Sequence, residues 1–276
     1  MIDIHSHIVP GVDDGAADLA EAVRMCRAAA ADGCRAIVAT PHQRHPQFWN
    51  GERALLEHRF EVLCRSVGDG VALSLGAEIH ADRDCLEAID RLPGGDLLPL
   101  AGSRYLLLEL PFHEAGLDPV ELVYETRVAG WWPILAHPER IDWLANDPAL
   151  LDELVAHGAL LQLTAMSITG ELGAQLAAVS ARMLDDGLVF CIASDMHDAR
   201  LRRPGLAAAR AVVARSWGEA AATHLVETHP AAVLADREPP QHQPAPDAIR
   251  EPAGGPSGLR RMLSRLGRGR EGANRR

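Results

Sequence analysis

The sequence predicts an α/β fold in which seven strands alternate with helices. Short apolar segments recur along the chain, and helix-forming segments separate them. This alternation favours parallel strands joined by right-handed crossovers. A chain of 276 residues, of which 47% are hydrophobic, also has the size of a single α/β barrel. In a closed barrel the carboxyl ends of the strands meet at one face, where such folds carry their chemistry.

The seven strands are predicted from short runs rich in apolar and β-branched residues. They cover residues 2–4, 36–39, 72–75, 105–108, 132–136, 160–163 and 188–192. Six helices are predicted between them, over residues 18–32, 51–67, 83–91, 118–129, 147–158 and 169–186, and further helical segments extend to residue 234. Asp118 and Asp147 each precede a proline, which is typical of an N-cap and first turn, and Thr169 is predicted to cap a third helix.

The composition of the chain changes at residue 236. Residues 236–257 are rich in proline, glycine and glutamine, which predicts a disordered linker. Residues 258–276 hold seven arginines and one glutamate, a net charge of 7 − 1 = +6, and Leu259, Met262, Leu263 and Leu266 form one apolar stripe. The sequence therefore predicts a barrel over residues 1–235 and a linker with a basic tail over 236–276. The tail is expected either to have no role or to make weak contact with an anionic membrane surface.

Charge and cysteine content exclude several classes of protein. A net charge of −11 argues against a nucleic-acid-binding protein. The five cysteines form no C-x-x-C pair and are predicted to be free thiols in a reducing compartment. The N-terminus lacks the pattern of a signal peptide, and no apolar run approaches the roughly 18 residues of a membrane span. A soluble, cytoplasmic protein is therefore expected.

Residues of the types that commonly bind metal ions follow six of the seven predicted strands. They are His5 and His7, His42, Glu78, Glu109, His137, and Asp195 with His197; the pair Asp13 and Asp14 lies shortly after the first strand. His5 and His7 are two apart in extended chain and therefore point to the same side. Such a set exceeds what one tetrahedral ion needs, and it predicts two or three divalent ions.

Arginines close to these residues indicate a phosphoester substrate. Arg140 follows His137 by three residues, and Arg202 and Arg203 follow His197. A guanidinium group matches the geometry of phosphate with two parallel hydrogen bonds. Cys85 and Arg91 have the C-x5-R spacing of cysteine-dependent phosphatases, but the residues between them predict a helix rather than a phosphate-binding loop.

Six motifs in a fixed order carry a resemblance to a known family. They are D-I-H-S-H-I-V-P-G-V-D-D-G, A-T-P-H, G-A-E-I, L-L-L-E-L-P-F, I-L-A-H-P-E-R and S-D-M-H-D. Over residues 1–215 the sequence resembles the polymerase-and-histidinol-phosphatase (PHP) superfamily. It resembles more narrowly the bacterial manganese-dependent protein-tyrosine phosphatases of capsule and exopolysaccharide loci. The resemblance implies a distorted seven-stranded (β/α)7 TIM-like barrel of PHP type that binds three metal ions.

The resemblance also implies a ligand set for each ion. One ion is held by His5, His7, Glu78 and Asp195, a second by Glu78, Glu109 and His137, and a third by His42, His197 and either Asp13 or Asp14. Arg140 and Arg202 bind phosphate, with Arg203 as the alternative to Arg202. Manganese is the expected ion, and zinc or iron(II) are alternatives. One departure is His80, which stands where the motif more usually has arginine.

The implied activity is that of a metal-dependent phosphotyrosine-protein phosphatase. The expected substrate is the autophosphorylated tyrosine kinase that controls polysaccharide export. Two alternatives stay open at this point. One is a small-molecule phosphatase such as histidinol phosphatase, and the other is a non-catalytic regulator that keeps the barrel and binds a partner.

Overall fold

The computed structural model describes residues 1–113 and 117–240, and within these ranges the strands alternate with helices as predicted. The described residues form nine strands: β1 Ile2–Asp3, β2 Ala36–Ala39, β3 His42–Gln43, β4 Ala72–Leu75, β5 Glu78–His80, β6 Tyr105–Glu109, β7 Trp132–Ala136, β8 Leu160–Thr164 and β9 Val189–Ala193. All strand pairs in this part of the chain are parallel. They form a sheet in the order β1-β2-β4 and a second sheet in the order β3-β5-β6-β7-β8-β9. The predicted α/β fold with parallel strands is therefore confirmed.

Helices connect the other successive strands, whereas β2 and β3, and likewise β4 and β5, follow each other without a helix. In the described ranges they are α1 Leu19–Ala31, α2 Arg53–Val67, α3 Cys85–Asp90, α4 Pro119–Val128, α5 Asp142–Ala145, α6 Pro148–Ala156, α7 Ala165–Thr169, α8 Ala174–Asp185, α9 Leu206–Trp217, α10 Glu219–Thr223 and α11 His229–Leu234. Short 3-10 helices cover Gly68–Gly70, Leu100–Gly102 and Pro138–Arg140, and the π-helix His224–Thr228 joins α10 to α11.

Two of the predicted helix starts are confirmed and one is wrong. Asp118 accepts a hydrogen bond from the backbone N–H of Val120, and Asp147 accepts one from that of Leu150, so both act as N-caps. Thr169 does not cap a helix but ends α7. The reason is local, because Gly170 adopts a left-handed conformation with φ of 81° and stops α7 before α8 begins.

The predicted count of seven strands is not confirmed, because the second and third predicted strands are each followed by a break and a further short strand. Pro41 lacks a backbone N–H and separates β2 from β3. Gly76 separates β4 from β5, and a Cβ at this position would lie 2.9 Å from Leu100 Cα. Hydrogen bonds from Gly76 N to Ala39 O (2.8 Å) and from Glu78 N to Pro41 O (3.1 Å) keep the two chain segments side by side across the breaks.

Backbone hydrogen bonds also join the ends of the first and last strands. Asp195 N donates to His5 O at 3.0 Å, and His7 N donates to Met196 O at 2.9 Å. Thr40 N donates to Ser6 O at 2.8 Å, which ties the segment after β1 to the end of β2. The segments that carry His5, His7 and Asp195 are thereby held next to each other.

Apolar side chains on the two sides of the strands pack into two clusters. Along β6, Leu106 and Leu108 belong to a large cluster that also contains side chains of the helices, whereas Tyr105 and Leu107 belong to a smaller cluster that contains Ile134 of β7. This alternation is the period of two expected for a strand that is buried on both faces.

After α11 the chain is attached to the start of β6. Asp236 accepts hydrogen bonds from the backbone and side chain of Arg104, and the Tyr105 hydroxyl donates to Arg237 O at 2.7 Å. The remainder of the predicted linker and the basic tail, residues 241–276, lie outside the described residues, and the division of the chain at residue 236 stays a prediction. None of the helices in the described ranges is long and apolar enough to cross a membrane.

Candidate metal centre

The carboxyl ends of the strands bring nine of the predicted metal-binding side chains together. They form four overlapping groups, and within each group the candidate ligand atoms lie within 4.8 Å of one another. The groups are His7, Asp14, His42 and His197; His5, Glu78 and His137; His5, His7 and Asp195; and His42, Glu78 and Glu109. These nine side chains together form the candidate metal centre. All of them are buried except Asp14.

Two residues of the centre have an unusual backbone conformation. His137 directly follows β7 with φ of 34°, and Asp195 follows β9 with φ of 52°. Positive φ is costly for residues other than glycine and is found most often at functional sites. The side chain of His137 lies against Glu78, and that of Asp195 lies against His5 and His7.

The arrangement of His5 and His7 fits a bound cation. Their Nε2 atoms are 3.2 Å apart, and Glu78 Oε2 lies 3.4 Å from one and 3.2 Å from the other. His5 Nδ1 lies 2.8 Å from Gln162 Oε1, and His7 Nδ1 lies 2.9 Å from Asp13 Oδ2. In the neutral rings these oxygen acceptors favour the proton on Nδ1, which leaves a lone pair on each Nε2. A divalent ion held by His5 and His7 would accept both lone pairs.

Glu78 connects the groups. Its Oε1 lies 2.9 Å from His137 Nε2, and its Oε2 lies 3.0 Å from His42 Nδ1. Glu109 Oε1 is 3.8 Å from the same nitrogen of His137. One carboxylate oxygen of Glu78 therefore faces His5, His7 and His42, and the other faces His137, and Glu78 belongs to two of the four groups.

Asp13 and Asp14, between which the sequence left the ligand open, have different surroundings. Asp14 Oδ1 lies 3.3 Å from His197 Nε2 and 3.5 Å from His42 Nε2, within one of the four groups. Asp13 is outside these groups among the described residues. It accepts hydrogen bonds from His7 Nδ1 and from the backbone N–H groups of Gly15 and His42. Asp14 therefore lies among the candidate ligands, and Asp13 lies behind two of them, His7 and His42.

The pKa values of these side chains show how strongly they interact. Burial opposes the charged form of His7, but the carboxylates of Asp13, Asp195 and Glu78 together outweigh it and raise the pKa of His7 well above its usual value. For His42, burial is likewise outweighed by Glu78 and Asp14, which raise its pKa to about 10. Burial also opposes ionisation of Glu78, yet the surrounding histidines hold its pKa well below the usual range.

Two supporting residues were missed in the sequence. Asp3 is fully buried and accepts hydrogen bonds from the backbone and hydroxyl of Ser194, and burial raises its pKa to about 6. Gln162 of β8 fixes the ring of His5. A signal was present for both, because each is a polar residue within a strand whose other residues are mainly apolar.

Arg140 and Arg202 both reach the centre through Asp195. Arg140 Nη1 donates to Asp195 Oδ2 at 2.5 Å, and Arg202 Nη2 donates to the same oxygen at 2.8 Å. Each guanidinium retains further N–H donors. Arg203 instead pairs with Glu171 at 2.7 Å and does not line the pocket over the centre.

A pocket of about 150 Å³ opens over the centre. Besides ligands and both arginines it is lined by His45, Gln47, Phe48 and Phe112, which the sequence analysis had not included. These side chains lie on the loops that follow β3 and β6, and loop residues of this kind carry no periodic signal in a sequence.

The cysteines are poor candidates for a catalytic nucleophile. All five are free thiols, and Cys85 is buried at the start of α3, where burial raises its pKa to about 12. Because the thiolate is the nucleophile, a thiol held in this way is inert at neutral pH. The C-x5-R segment forms the helix expected from the sequence, and Arg91 pairs with Glu87 within it.

Known proteins resemble this chain over most of its length. The "Tyrosine-protein phosphatase YwqE" of Bacillus subtilis is 37% identical over 204 residues, which is 73% of this chain and 79% of that protein. The "Tyrosine-protein phosphatase CpsB" of Streptococcus pneumoniae is 30% identical over 244 residues, 86% of this chain and 99% of that protein.

A solved structure described under "Crystal structures of YwqE from Bacillus subtilis and CpsB from Streptococcus pneumoniae, unique metal-dependent tyrosine phosphatases" matches with a TM-score of 0.82. It is 31% identical, and the match covers 91% of this chain and 100% of that one. The sequence profile of the family described as "Capsular polysaccharide synthesis, CpsB/CapC" matches residues 1–235. The chain therefore belongs to the CpsB/CapC family of capsular polysaccharide synthesis.

Proposed function

We propose that this protein is a metal-dependent phosphotyrosine-protein phosphatase. The observation that carries the proposal is the convergence of four candidate metal-binding groups and two arginines on one pocket. Relatives of similar length in the same family are named tyrosine-protein phosphatases. A cluster of cations beside free guanidinium donors suits a phosphate monoester, whose charged oxygens need several positive partners.

The nine residues of the candidate metal centre are the proposed ligands of two or three divalent ions, with manganese as the proposed metal. Asp13 and Gln162 contact Nδ1 of His7 and of His5, which would leave each Nε2 available to an ion. Glu78 is the proposed bridging ligand. Zinc and iron(II) stay alternatives, because carboxylate and imidazole ligands suit all three metals.

In the proposed reaction the oxygen of a water molecule forms a bond to phosphorus, and the bond from phosphorus to the tyrosine oxygen breaks. When bound, divalent ions lower the pKa of water and neutralise charge that develops on phosphate oxygens. Arg140 and Arg202 orient the phosphate through the N–H donors that Asp195 does not use. The leaving tyrosinate has a pKa near 10 in its free form, so the departing oxygen does not need a strong acid.

The proposed substrate is an autophosphorylated tyrosine kinase of capsule or exopolysaccharide export, because the family is named for capsular polysaccharide synthesis. We also propose that the two sheets form one distorted seven-stranded barrel of PHP type. The hydrogen bonds between the ends of β1 and β9 and across the breaks after β2 and β4 support this closure.

Removal and restoration of metal tests the function. Protein stripped of metal by a chelator is assayed on a phosphotyrosine peptide after addition of manganese, zinc, iron(II) or magnesium, with histidinol phosphate as the second substrate. We expect manganese to restore activity and kcat/KM to favour the peptide by at least about tenfold. Preference for histidinol phosphate, or hydrolysis of neither compound with any metal, would reject the proposal.

A further inference from the structure

Two phenylalanines line a pocket whose other walls are polar. Phe48 and Phe112 share it with histidines, carboxylates, both arginines and one glutamine. Phosphate oxygens and cations bind to the charged groups, and a phenyl ring offers them no hydrogen bond. The two rings are therefore placed to contact the organic part of an ester whose phosphate lies on the centre.

Phe112 is held in position although it is 39% exposed. Its ring stacks on that of His137, with centroids 5.7 Å apart and planes at 17°. The guanidinium carbon of Arg140 lies 5.7 Å from the centroid of the phenyl ring. The carbonyl of the preceding Pro111 accepts a hydrogen bond from Trp143 Nε1 at 2.9 Å, which fixes the backbone next to the ring.

Phe48 is held in a comparable way on the loop after β3. Its ring lies nearly parallel to that of His42, at 6° with centroids 5.8 Å apart, and it also stacks on His45. The N–H of Phe48 donates to His45 O at 3.0 Å, and Asn50 Nδ2 donates to His42 O at 2.8 Å. The loop therefore holds the ring over the strand that carries His42.

The order of the strands places the rings on different sides of the pocket. Phe48 lies against His42 of β3, and Phe112 lies against His137 at the end of β7. Strands β5 and β6, with Glu78 and Glu109 at their carboxyl ends, lie between β3 and β7. The two rings therefore flank the part of the pocket that lies over these carboxylates.

We infer that Phe48 and Phe112 form an aryl subsite that binds the phenyl ring of an aryl phosphate monoester and selects it over alkyl phosphates. The inference rests on the proposed function and names the substrate chemistry of the same pocket. Aromatic rings prefer offset or edge-to-face contacts with other rings, and each such contact favours binding by about threefold to tenfold. An alkyl ester brings no ring of its own to contact the two phenyl groups.

Binding of phosphonates, which are not hydrolysed, tests the aryl subsite apart from catalysis. Calorimetric titration of the manganese-loaded full-length protein is done with phenylphosphonate and with methylphosphonate. We expect the wild-type protein to bind phenylphosphonate at least about tenfold more tightly, since two rings contribute. Equal affinities in the wild-type protein overturn the inference without any variant.

Variants then assign the preference to the rings. Phe48→Leu and Phe112→Leu should each weaken phenylphosphonate about threefold to tenfold and change methylphosphonate by less than about twofold. Phe112→Tyr keeps the ring and should keep the preference. Leu201→Ala is the matched control, because Leu201 is 81% exposed on the loop after β9 and does not line the pocket. Equal weakening of both phosphonates in the leucine variants, or none, overturns the inference.

Kinetics separate this inference from the proposed function. The same variants are assayed on a phosphotyrosine peptide and on the corresponding phosphoserine peptide. Loss of kcat/KM on the phosphotyrosine peptide alone supports the aryl subsite. If the wild-type protein hydrolyses phosphotyrosine but the variants lose both activities equally, the aryl subsite is rejected and the phosphatase function stands. If the wild-type protein hydrolyses neither peptide, the phosphatase function itself is rejected.

Discussion

At the scale of single residues, each histidine of the D-I-H-S-H segment divides its two ring nitrogens between two tasks. Nδ1 of His5 and of His7 is bound by an oxygen of Gln162 or Asp13, and Nε2 points into the centre. The acceptor on one nitrogen decides which nitrogen carries the proton. The residues that orient the rings therefore matter to the centre nearly as much as the ligands.

Removal of a proposed ligand should remove metal and activity but leave the fold. His137→Ala is expected to lower kcat on a phosphotyrosine peptide more than about tenfold, because a ligand contributes mainly to the charge around the substrate. Metal content and circular dichroism are measured alongside. His157→Ala is the control, since His157 is exposed after α6 and far in sequence from any ligand. A His137→Ala protein with full metal content and more than a tenth of the activity would contradict the assignment.

The second prediction concerns the planar guanidinium group of Arg140. Arg140→Lys should lower kcat/KM nearly as much as Arg140→Ala, because an ammonium group cannot contact Asp195 and a phosphate with a planar set of donors. Arg203→Lys should change kcat/KM by less than about twofold, since Arg203 pairs with Glu171 instead. Inhibition by inorganic phosphate gives an independent measure, and unchanged inhibition in Arg140→Ala would place this arginine outside the phosphate site.

The third prediction tests the orienting role of Asp13. Asp13→Asn preserves shape but removes the charge that faces His7 Nδ1. Loss of such a partner typically weakens metal binding about tenfold to a hundredfold. Calorimetric titration of the metal-free variant with manganese measures the effect, with Asp90→Asn, an exposed carboxylate of α3, as the control. Unchanged affinity in Asp13→Asn would show that the charge of Asp13 does not support the centre.

How much of the site can be predicted depends on the local backbone. The ligands stand directly after apolar strands, so their convergence follows from the parallel topology. The parallel topology does not decide between Asp13 and Asp14. Residues 8–17 form turns without a regular period that would fix which side chain points inward. Phe48 and Phe112 were missed for a related reason, since an aromatic residue in a loop equally indicates a surface contact.

At the scale of elements, the breaks after β2 and β4 position two of the proposed ligands. Pro41 and Gly76 interrupt the ladder just before His42 and Glu78, and the chain resumes as β3 and β5 with these two residues in register. The β-propensity of the residues predicts where a strand lies. It does not predict where the hydrogen-bond ladder passes from one sheet to the other, because this passage depends on contacts between strands. Two short strands therefore escaped prediction, although their residues were identified as ligands.

The loop after β1 gives the fourth prediction. A Cβ on Gly15 would lie 2.1 Å from His7 O and 2.4 Å from His7 Cβ. Gly15→Ala should therefore displace either His7 or the loop with Asp13 and Asp14, with a loss of about 1–3 kcal/mol in stability and weaker metal binding. Gly70→Ala is the control, since nothing lies within 4 Å of that position. Thermal unfolding and manganese titration measure both effects, and a Gly15→Ala protein equal to wild type in both would contradict the prediction.

At the scale of the whole molecule, every residue proposed for the centre and for phosphate binding precedes Pro204. The end of the described chain is attached to the start of β6 by Asp236 and Arg237. The fifth prediction follows from this arrangement. Truncation after Pro240 should leave kcat/KM on a soluble phosphotyrosine peptide within about twofold of the full-length value, because no proposed site residue is removed.

Truncation after Ala235 is the comparison. It removes the Arg104–Asp236 pair and the partner of the Tyr105 hydroxyl, which should lower the melting temperature by about 2–4 °C for each kcal/mol lost. The pair is half-exposed, so its own contribution is at most about 1 kcal/mol. Truncation after Pro240 that abolishes activity on the soluble peptide would show that residues 241–276 contribute to the site.

The attachment of Arg237 to Tyr105 also determines where the protein can be coupled to a surface without blocking its pocket. Tyr105 begins β6 and Glu109 ends it, four residues or about 13 Å further along the strand. The described chain therefore ends at the opposite end of the strands from the pocket. A protein truncated after Pro240 and coupled to a bead or sensor chip at that end should face the solution with its pocket, whereas coupling through the loops after β3 or β6 should block the entrance. Coupling at Pro240 should therefore preserve turnover of a large phosphoprotein as well as that of a small aryl phosphate.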